Sequence, residues 1–126
     1  MSARTLPKPA RLSRRAEFAT VRQQGKSWHG RFMILGGWQS GDGQPARIGV
    51  ITSRRLGGAV KRVRVRRRLR EIFRLHRAGL RPGLWLVMVP RRAAVGVPAA
   101  VLEEEWRALA GRAGYFRPKE ETNDES

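Results

Sequence analysis

Residues 53–77 read SRRLGGAVKRVRVRRRLREIFRLHR, a pattern typical of a helix with one apolar face and one basic face. From Ala59 to about Ala78, one stripe of a helical wheel holds the apolar residues Val65, Leu69, Ile72, Phe73 and Leu75. The opposite side holds the basic residues Arg64, Arg66, Arg67, Arg70, Arg74 and Arg77. Glycine and proline within residues 79–83 predict the end of this helix.

The charge of this segment is almost entirely of one sign. Eleven of its twelve charged residues are basic, and Glu71 is the only acid. Like charges three or four positions apart destabilise an isolated helix by roughly a few tenths of a kcal/mol per pair. The apolar stripe must therefore pack on a core, while the basic face contacts water or phosphate. Because a face that contacts only water usually mixes both signs, the segment predicts a polyanionic partner.

The rest of the chain strengthens this charge argument. The 126 residues carry a formal net charge of +17, and the charge is uneven along the chain. Residues 1–97 hold 23 basic and three acidic residues, whereas residues 98–126 hold four basic and seven acidic ones. Of the 27 basic residues, 23 are arginine, whose planar guanidinium binds phosphate and stacks on bases. A polyanion would relieve the self-repulsion and release counterions, so we expect nucleic-acid binding.

Composition excludes several other classes of protein. The chain has no cysteine, which excludes disulfide frameworks and thiol catalysis. Neither a membrane span nor a secretory signal is recognisable, so we expect a cytoplasmic protein that does not bind membranes. The length suits a single domain. We assign a flexible basic N-terminus to residues 1–11, one RNA-binding domain to residues 12–116 and an acidic disordered tail to residues 117–126.

The segments around the basic helix predict a small mixed sheet with helices. Ser13 is a candidate cap for a first helix that ends near Gln24, before Gly25. Strands are predicted at residues 31–38 and 46–53, joined as an antiparallel hairpin, and at residues 84–89 in a central position. A last helix spans about residues 98–112, with Leu102, Trp106 and Leu109 on one face. The order α-β-β-α-β-α indicates an α/β (α+β) two-layer sandwich.

The residues do not indicate catalysis by the protein itself. Phosphodiester cleavage by a protein usually needs clustered carboxylates or a general base, and the three carboxylates of residues 1–97 are far apart in sequence. His29 and His76 have no obvious partners, and Glu103 to Glu105 are interpreted as a solvated face. We therefore predict no catalytic residue and no protein-bound metal or cofactor. Trp106 is predicted to lie in the core. For Trp28 and Trp38, the sequence leaves open whether they stack on bases.

Residues 53–71 resemble the signature of the bacterial ribonuclease P protein family. That signature runs Ser, two basic residues, an apolar residue, Gly-Asn-Ala-Val, then Arg-Asn-Arg, a basic pair and Leu-Arg-Glu. The region from Leu12 to Gly25 resembles the family's first helix, Arg31 and Phe32 open its first strand, and residues 84–91 resemble a later strand. The resemblance covers roughly residues 11–113 and implies a left-handed crossover at the basic helix, contrary to the usual rule.

The resemblance also implies a function. In this family an RNA subunit is the catalyst and removes the 5′ leader of precursor tRNA with bound Mg²⁺, while the protein binds the leader. The implied partners are ribonuclease P RNA and precursor tRNA, and no protein partner is predicted. The implied RNA-binding residues are Ser53, Arg54, Arg55, Lys61, Arg62, Arg64, Arg66, Arg67, Arg68 and Arg70. The implied leader cleft holds Phe18, Val21, Arg22 and Phe32.

Some positions depart from the family pattern. Val63 and Gly58 stand where the signature has asparagine, so two amide groups are lost. Arg22 and Gly36 stand where aromatic residues are common, and Trp85 stands where an aspartate is common. Since stacking of a base on an aromatic ring contributes about 1–3 kcal/mol, leader binding here is predicted to depend more on charge than on stacking.

Two other classes of function remain as alternatives at this point. One is a structural protein of the ribosomal type that binds folded RNA without supporting cleavage. The other is a DNA-binding or architectural protein. Against the DNA-binding alternative, the basic helix lies between strands, without the preceding helix of a helix-turn-helix motif and without a heptad zipper.

Overall fold

A four-stranded mixed sheet forms the centre of the computed structural model, which describes residues 8–118. The strands are β1 (Lys26–His29), β2 (Met33–Gln39), β3 (Arg47–Val50) and β4 (Leu84–Pro90). Their order across the sheet is β1-β2-β4-β3. Strand β2 is antiparallel to both of its neighbours, and β3 is parallel to β4.

The predicted hairpin between residues 31–38 and 46–53 is wrong. Strand β4 lies between β2 and β3, because its nearly continuous apolar sequence favours the position covered on both faces. The antiparallel hairpin partner of β2 is instead β1, with Trp28 opposite Leu35. We did not predict β1, since its four residues are mostly polar and exposed. The central position predicted for residues 84–89 is confirmed.

Three α-helices accompany the sheet: α1 (Arg15–Gln24), α2 (Ala59–His76) and α3 (Ala99–Ala113). Helices α2 and α3 lie where the sequence predicted them. Helix α1 begins without a cap from Ser13, because a different side chain binds the first backbone groups. The Glu17 carboxylate accepts hydrogen bonds from the backbone N–H of Ser13 (2.8 Å) and of Arg14 (3.1 Å).

The main core lies between one face of the sheet and helices α2 and α3. It contains Val65, Leu69, Ile72 and Phe73 of α2, together with Leu102, Trp106 and Leu109 of α3. The prediction that Trp106 belongs to the core is confirmed, since its side chain is fully buried. The prediction that Leu75 belongs to the buried apolar stripe is wrong. Its side chain is 56% exposed, because it lies beyond the edge of that stripe on the helical wheel.

Helix α1 covers the opposite face of the sheet. A smaller apolar cluster there contains Leu12, Val21 and Val87, with Phe18 and Trp38 packed against it. The α+β class with a mixed sheet is confirmed, but helices on both faces give three layers rather than two. Helix α2 connects the parallel strands β3 and β4. The left-handedness of this crossover stays a prediction.

The ends of the described chain are more ordered than the sequence indicated. Lys8–Ala10 form a 3-10 turn, Ala10 is buried, and Arg11 forms a β-bridge with Ile48. Residues 8–11 therefore differ from the predicted flexible N-terminus, and residues 1–7 lie outside the described part. At the other end the backbone N–H of Arg117 donates to the carbonyl of Gly79 (2.7 Å). Residues 119–126 of the predicted tail lie outside the described residues.

Within residues 8–118, no helix has the length and apolar character that crossing a membrane requires.

Candidate nucleic-acid interface

The outer face of α2 is a continuous basic surface. The helix buries Val65, Leu69, Ile72 and Phe73, which fixes which of its sides is exposed to solvent. Lys61, Arg64 and Arg67 are exposed, and the half-buried cations beside them are Arg62, Arg66, Arg68 and Arg70. Packing of the apolar stripe thus presents the arginines as one surface, which we call the basic face: Lys61, Arg62, Arg64, Arg66, Arg67, Arg68 and Arg70.

Carboxylates do not neutralise this basic face. The ion pairs among residues 8–118 are Arg47–Glu17 (3.0 Å), Arg74–Glu71 (2.6 Å) and His76–Glu103 (2.6 Å). Among these pairs, the only one that involves an arginine of α2 is Arg74–Glu71, near the C-terminal end of the helix. The basic face therefore carries its full positive charge at the N-terminal two-thirds of the helix.

Hydrogen bonds fix some of these guanidinium groups and leave others extended into solvent. Arg68 Nη1 donates to the carbonyl of Val97 (2.7 Å), and Arg62 Nη1 donates to the carbonyl of Gly57 (3.4 Å). Arg66 donates to the hydroxyl of Thr52. Of the predicted contacts, Arg64 and Arg67 have neither a hydrogen bond nor an ion pair within the described chain. Their donors are available to a phosphate.

The basic face continues toward the N-terminal segment beside β3. Burial, and then the positive charges of Arg11 and Arg66, lower the pKa of Arg70 below the ordinary guanidinium value. Such a shift indicates that these three arginines lie close enough to repel one another. A concentration of like charge raises the local positive potential and attracts an anionic partner.

A short basic turn leads into α2. Residues Arg54–Leu56 form a 3-10 turn, in which the Ser53 hydroxyl accepts from the backbone N–H of Arg55 (3.3 Å). Buried Leu56 anchors the turn, while Arg54 and Arg55 are exposed. Gly57 has a φ of 124°, a left-handed region that other residues rarely adopt. The structure thus brings the predicted residues 53–55 next to the N-terminus of α2.

A groove of about 280 Å³ lies between α1 and the sheet. Its α1 side is lined by Arg15, Phe18, Ala19, Val21 and Arg22, and its other side by Ser27, Ile34, Gly36, Ile51, Val87 and Val89. The structure therefore brings Phe18, Val21 and Arg22 together as predicted. Ile51 also lines the groove and is followed directly by Thr52 and Ser53. The groove ends where the basic turn begins.

Phe32 is not among the residues that line this groove. Its ring packs against the main core, with the guanidinium of Arg31 5.4 Å from the ring centroid. Phe32 lies in the bend before β2, so the alternation of side chains along the strand does not direct its ring to the groove face. Trp28 also packs against the main core. Trp38 lies on the groove face and contacts Trp85 edge to face, with centroids 5.2 Å apart.

An ion pair fixes α1 against the edge of the sheet. Arg47 Nη1 lies 3.0 Å from Glu17 Oε2, and Arg47 Nη2 donates to the carbonyl of Arg11 (2.9 Å). Burial raises the pKa of Glu17, but hydrogen bonds from Arg14, Ser13 and Arg47 outweigh it and hold the pKa below the ordinary value of a glutamate. Phe18, one residue further on, packs its ring against Gly49, where a side-chain Cβ would clash with it. These contacts set the width of the groove.

Glu105 is the residue that sequence reasoning missed. Its carboxylate accepts hydrogen bonds from the backbone N–H groups of Arg31 (2.7 Å), Phe32 (2.8 Å) and Met33 (3.0 Å). The solvated face predicted for residues 103–105 is therefore wrong for Glu105, and also for Glu103, which pairs with His76. The carboxylate also packs against Gly30, where a Cβ would lie 2.5 Å from it.

The two histidines have structural contacts rather than catalytic ones. His76 pairs with Glu103, and its ring centroid lies 5.2 Å from that of Trp106. His29 Nδ1 lies 3.3 Å from Arg91 Nη2. Within the described chain, no three histidine or carboxylate side chains cluster as metal ligands would.

Comparison with known proteins identifies the family to which this fold and basic face belong. A family model described as Ribonuclease P matches residues 6–114. The chain belongs to the ribonuclease P protein family. The ribonuclease P protein component of Symbiobacterium thermophilum is 37% identical over 112 residues, which cover 89% of this chain and 97% of the relative.

Solved structures of two family members have the same fold. The RNase P protein of Thermotoga maritima aligns with a TM-score of 0.73 at 26% identity, over 81% of this chain and 96% of the other. A mutant RNase P protein of Staphylococcus aureus aligns with a TM-score of 0.80 at 23% identity, over 86% and 92%. The chain is thus a protein subunit of an RNA-processing ribonucleoprotein endonuclease, and RNA binding belongs to that role.

Proposed function

We propose that this protein binds the catalytic RNA of ribonuclease P through α2 and the turn before it, and binds the 5′ leader of precursor tRNA in the groove beside α1. The observation that supports this most is the unpaired charge of the basic face. Lys61, Arg64 and Arg67 are exposed and lack carboxylate partners within the described chain. A folded RNA supplies the phosphates that such a surface needs.

The leader is the natural occupant of the groove because the groove is narrow, apolar at its base and basic at its rim. Phe18 and Val21 supply apolar contact, while Arg15 and Arg22 lie on the α1 side. The end of the groove at Ile51 adjoins exposed Arg54 and Arg55. A single strand entering here passes from the basic turn to α1 with cations along its length, the arrangement of single-strand binding sites.

In the proposed division of labour, the protein positions RNA and the RNA subunit carries out the cleavage. Mg²⁺ belongs with the RNA, because the described residues offer no cluster of ligands for it. The contribution of the protein is to neutralise phosphates on two RNA molecules at once, which lowers the repulsion between them. We place this assembly of the protein with both RNA molecules in the cytoplasm.

Reconstitution tests this function directly. The protein alone, given precursor tRNA and Mg²⁺, should cut nothing, because residues 8–118 bring no carboxylate or histidine cluster together for catalysis. Adding a bacterial ribonuclease P RNA at low salt should give removal of the 5′ leader, faster than the same RNA without protein. No stimulation of cleavage, together with tight binding to ribosomal RNA, would favour a structural RNA-binding protein. A preference for duplex DNA would favour an architectural role.

Leader affinity should fall steeply with salt, since the groove lining offers one aromatic ring, that of Phe18, and two cations, Arg15 and Arg22, with Arg54 and Arg55 nearby in the basic turn. With about four phosphate contacts on a single strand, the leader's contribution to affinity should fall about fiftyfold between 50 and 200 mM salt. The measurement is the ratio of affinities for tRNA with and without a leader, at saturating protein and fixed Mg²⁺. Arg15→Gln/Arg22→Gln should flatten this dependence, and a nearly salt-independent ratio would refute the prediction.

A further inference from the structure

An apolar patch interrupts the basic face near the start of α2. A shallow depression of about 420 Å³ is lined by Ala59, Val60, Val63, Arg64, Arg67 and Arg68. Val60 is 70% exposed and Val63 is 37% exposed. We call Ala59, Val60 and Val63 the valine patch. Because Val60 and Val63 are three positions apart, they lie on the same side of the helix.

The valine patch contributes nothing visible to the fold. Helix α2 packs on the core through Val65, Leu69, Ile72 and Phe73, and Val60 and Val63 are not among the residues of either core cluster. A β-branched residue at an exposed helix position is also a poorer helix former than lysine or glutamine. Ala59 and Val60 match the family signature, while Val63 stands where the signature has asparagine and enlarges the apolar surface.

Arginines border the patch on the side of the following helical turn. Arg64 follows Val60 by four positions, and Arg67 follows Val63 by four, which places each guanidinium next to one valine. Neither arginine has a hydrogen bond or ion pair within the described residues, whereas Arg68 is held by the carbonyl of Val97. An occupant of the depression must therefore offer an apolar surface flanked by negative charge.

We propose that an unpaired nucleobase of the partner RNA packs against the valine patch, while Arg64 and Arg67 bind the phosphates on either side of it. A nucleotide combines the two required features, since the face of its base is apolar and its phosphates are anionic. The base must be unpaired, because an A-form helix hides base faces by stacking. This inference rests on the proposed function, in which α2 contacts folded RNA, and it adds a nucleotide-specific contact to that surface.

The test separates apolar contact from phosphate contact by their salt dependence. Val60→Thr/Val63→Thr keeps the branched shape and the helix propensity but replaces one methyl of each valine by a hydroxyl. Affinity for ribonuclease P RNA should fall about tenfold. The slope of log affinity against log salt should stay unchanged, because no phosphate contact is lost. Arg64→Gln/Arg67→Gln should instead reduce that slope by about two.

Val101→Thr is the matched control, since Val101 is also 37% exposed but lies on α3. It should leave RNA affinity unchanged. Parental affinity in the patch variant, with weakened binding in the arginine variant, would overturn the nucleobase contact and leave the proposed function standing. Loss of self-association in sedimentation, with RNA affinity unchanged, would assign the patch to a second copy of the chain instead. Parental protein binding this RNA no tighter than an unrelated RNA would overturn the proposed function itself.

Discussion

Replacing Arg62, Arg64 and Arg67 together by glutamine should lower the affinity for ribonuclease P RNA about a thousandfold at low salt. Each of these side chains lies on the basic face without a carboxylate partner. A charge-assisted hydrogen bond contributes about 1.5–3 kcal/mol, so three such contacts suffice for a change of this size. Glutamine preserves helix propensity and some hydrogen bonding, which confines the change to charge.

The salt dependence gives this result its physical meaning. Each phosphate contact releases condensed counterions, so losing three contacts should reduce the slope of log affinity against log salt by about three. The measurement is a binding titration of the protein with ribonuclease P RNA at several salt concentrations. A variant that loses affinity at unchanged slope would show that these arginines stabilise α2 rather than contact phosphate.

A matched control removes the same charge from another part of the surface. Arg81, Arg107 and Arg112 are exposed and lie at or near α3, and their triple replacement by glutamine changes net charge equally. The two triple variants also lose the same kind of intramolecular contact, because Arg81 donates to a backbone carbonyl as Arg62 does. This control should bind RNA within about threefold of the parent, since only the general attraction is reduced. An equal loss in both variants would contradict a localised RNA-binding face.

The parts of the fold that the sequence predicted are those set by local pattern. Helices α2 and α3 follow from residues three and four positions apart, which the sequence shows directly. The pairing of the strands depends on contacts that are distant in sequence. Strand β2 pairs with β4, which follows it beyond both β3 and α2, and β3 pairs with β4 across the whole of α2. A rule that joins successive strands therefore gave the wrong hairpin.

In the candidate site, too, the features set by local sequence pattern were predictable and those set by distant contacts were not. The basic face and the turn at residues 53–55 were predictable because charge and amphipathic pattern are local properties. The groove was predictable only in part: Phe18, Val21 and Arg22 share α1, but Phe32 lies in a bend before β2, where no strand pattern predicts the direction of its ring. Glu105 had no local pattern at all, because its partners are 72 to 74 residues away in sequence.

Glu105→Ala should lower the free energy of unfolding by about 3 kcal/mol. Three successive backbone N–H groups, from Arg31 to Met33, converge on one carboxylate at 2.7 to 3.0 Å. Leaving a buried donor unsatisfied costs about 1–3 kcal/mol. The bond to Arg31 is exposed and water can replace it, while those to Phe32 and Met33 are partly buried and cannot be fully replaced.

Glu104→Ala provides the control on the adjacent position of the same helix. Glu104 is exposed, and its carboxylate forms no hydrogen bond or ion pair with any described residue. Its replacement should change stability by less than about 0.5 kcal/mol, as surface substitutions usually do. Denaturant unfolding of the two variants measures the difference, provided that both keep the parental dependence on denaturant concentration.

The two variants also separate stability from RNA binding. The turn that Glu105 holds joins β1 to β2, the strands that α3 contacts, whereas α2 contacts β3 at the opposite edge of the sheet. Under conditions where Glu105→Ala remains folded, its affinity for ribonuclease P RNA should therefore match that of the parent. Equal stability of the Glu104 and Glu105 variants would show that the backbone of residues 31–33 does not need this carboxylate. A loss of RNA affinity in folded Glu105→Ala would instead place the turn at the RNA surface.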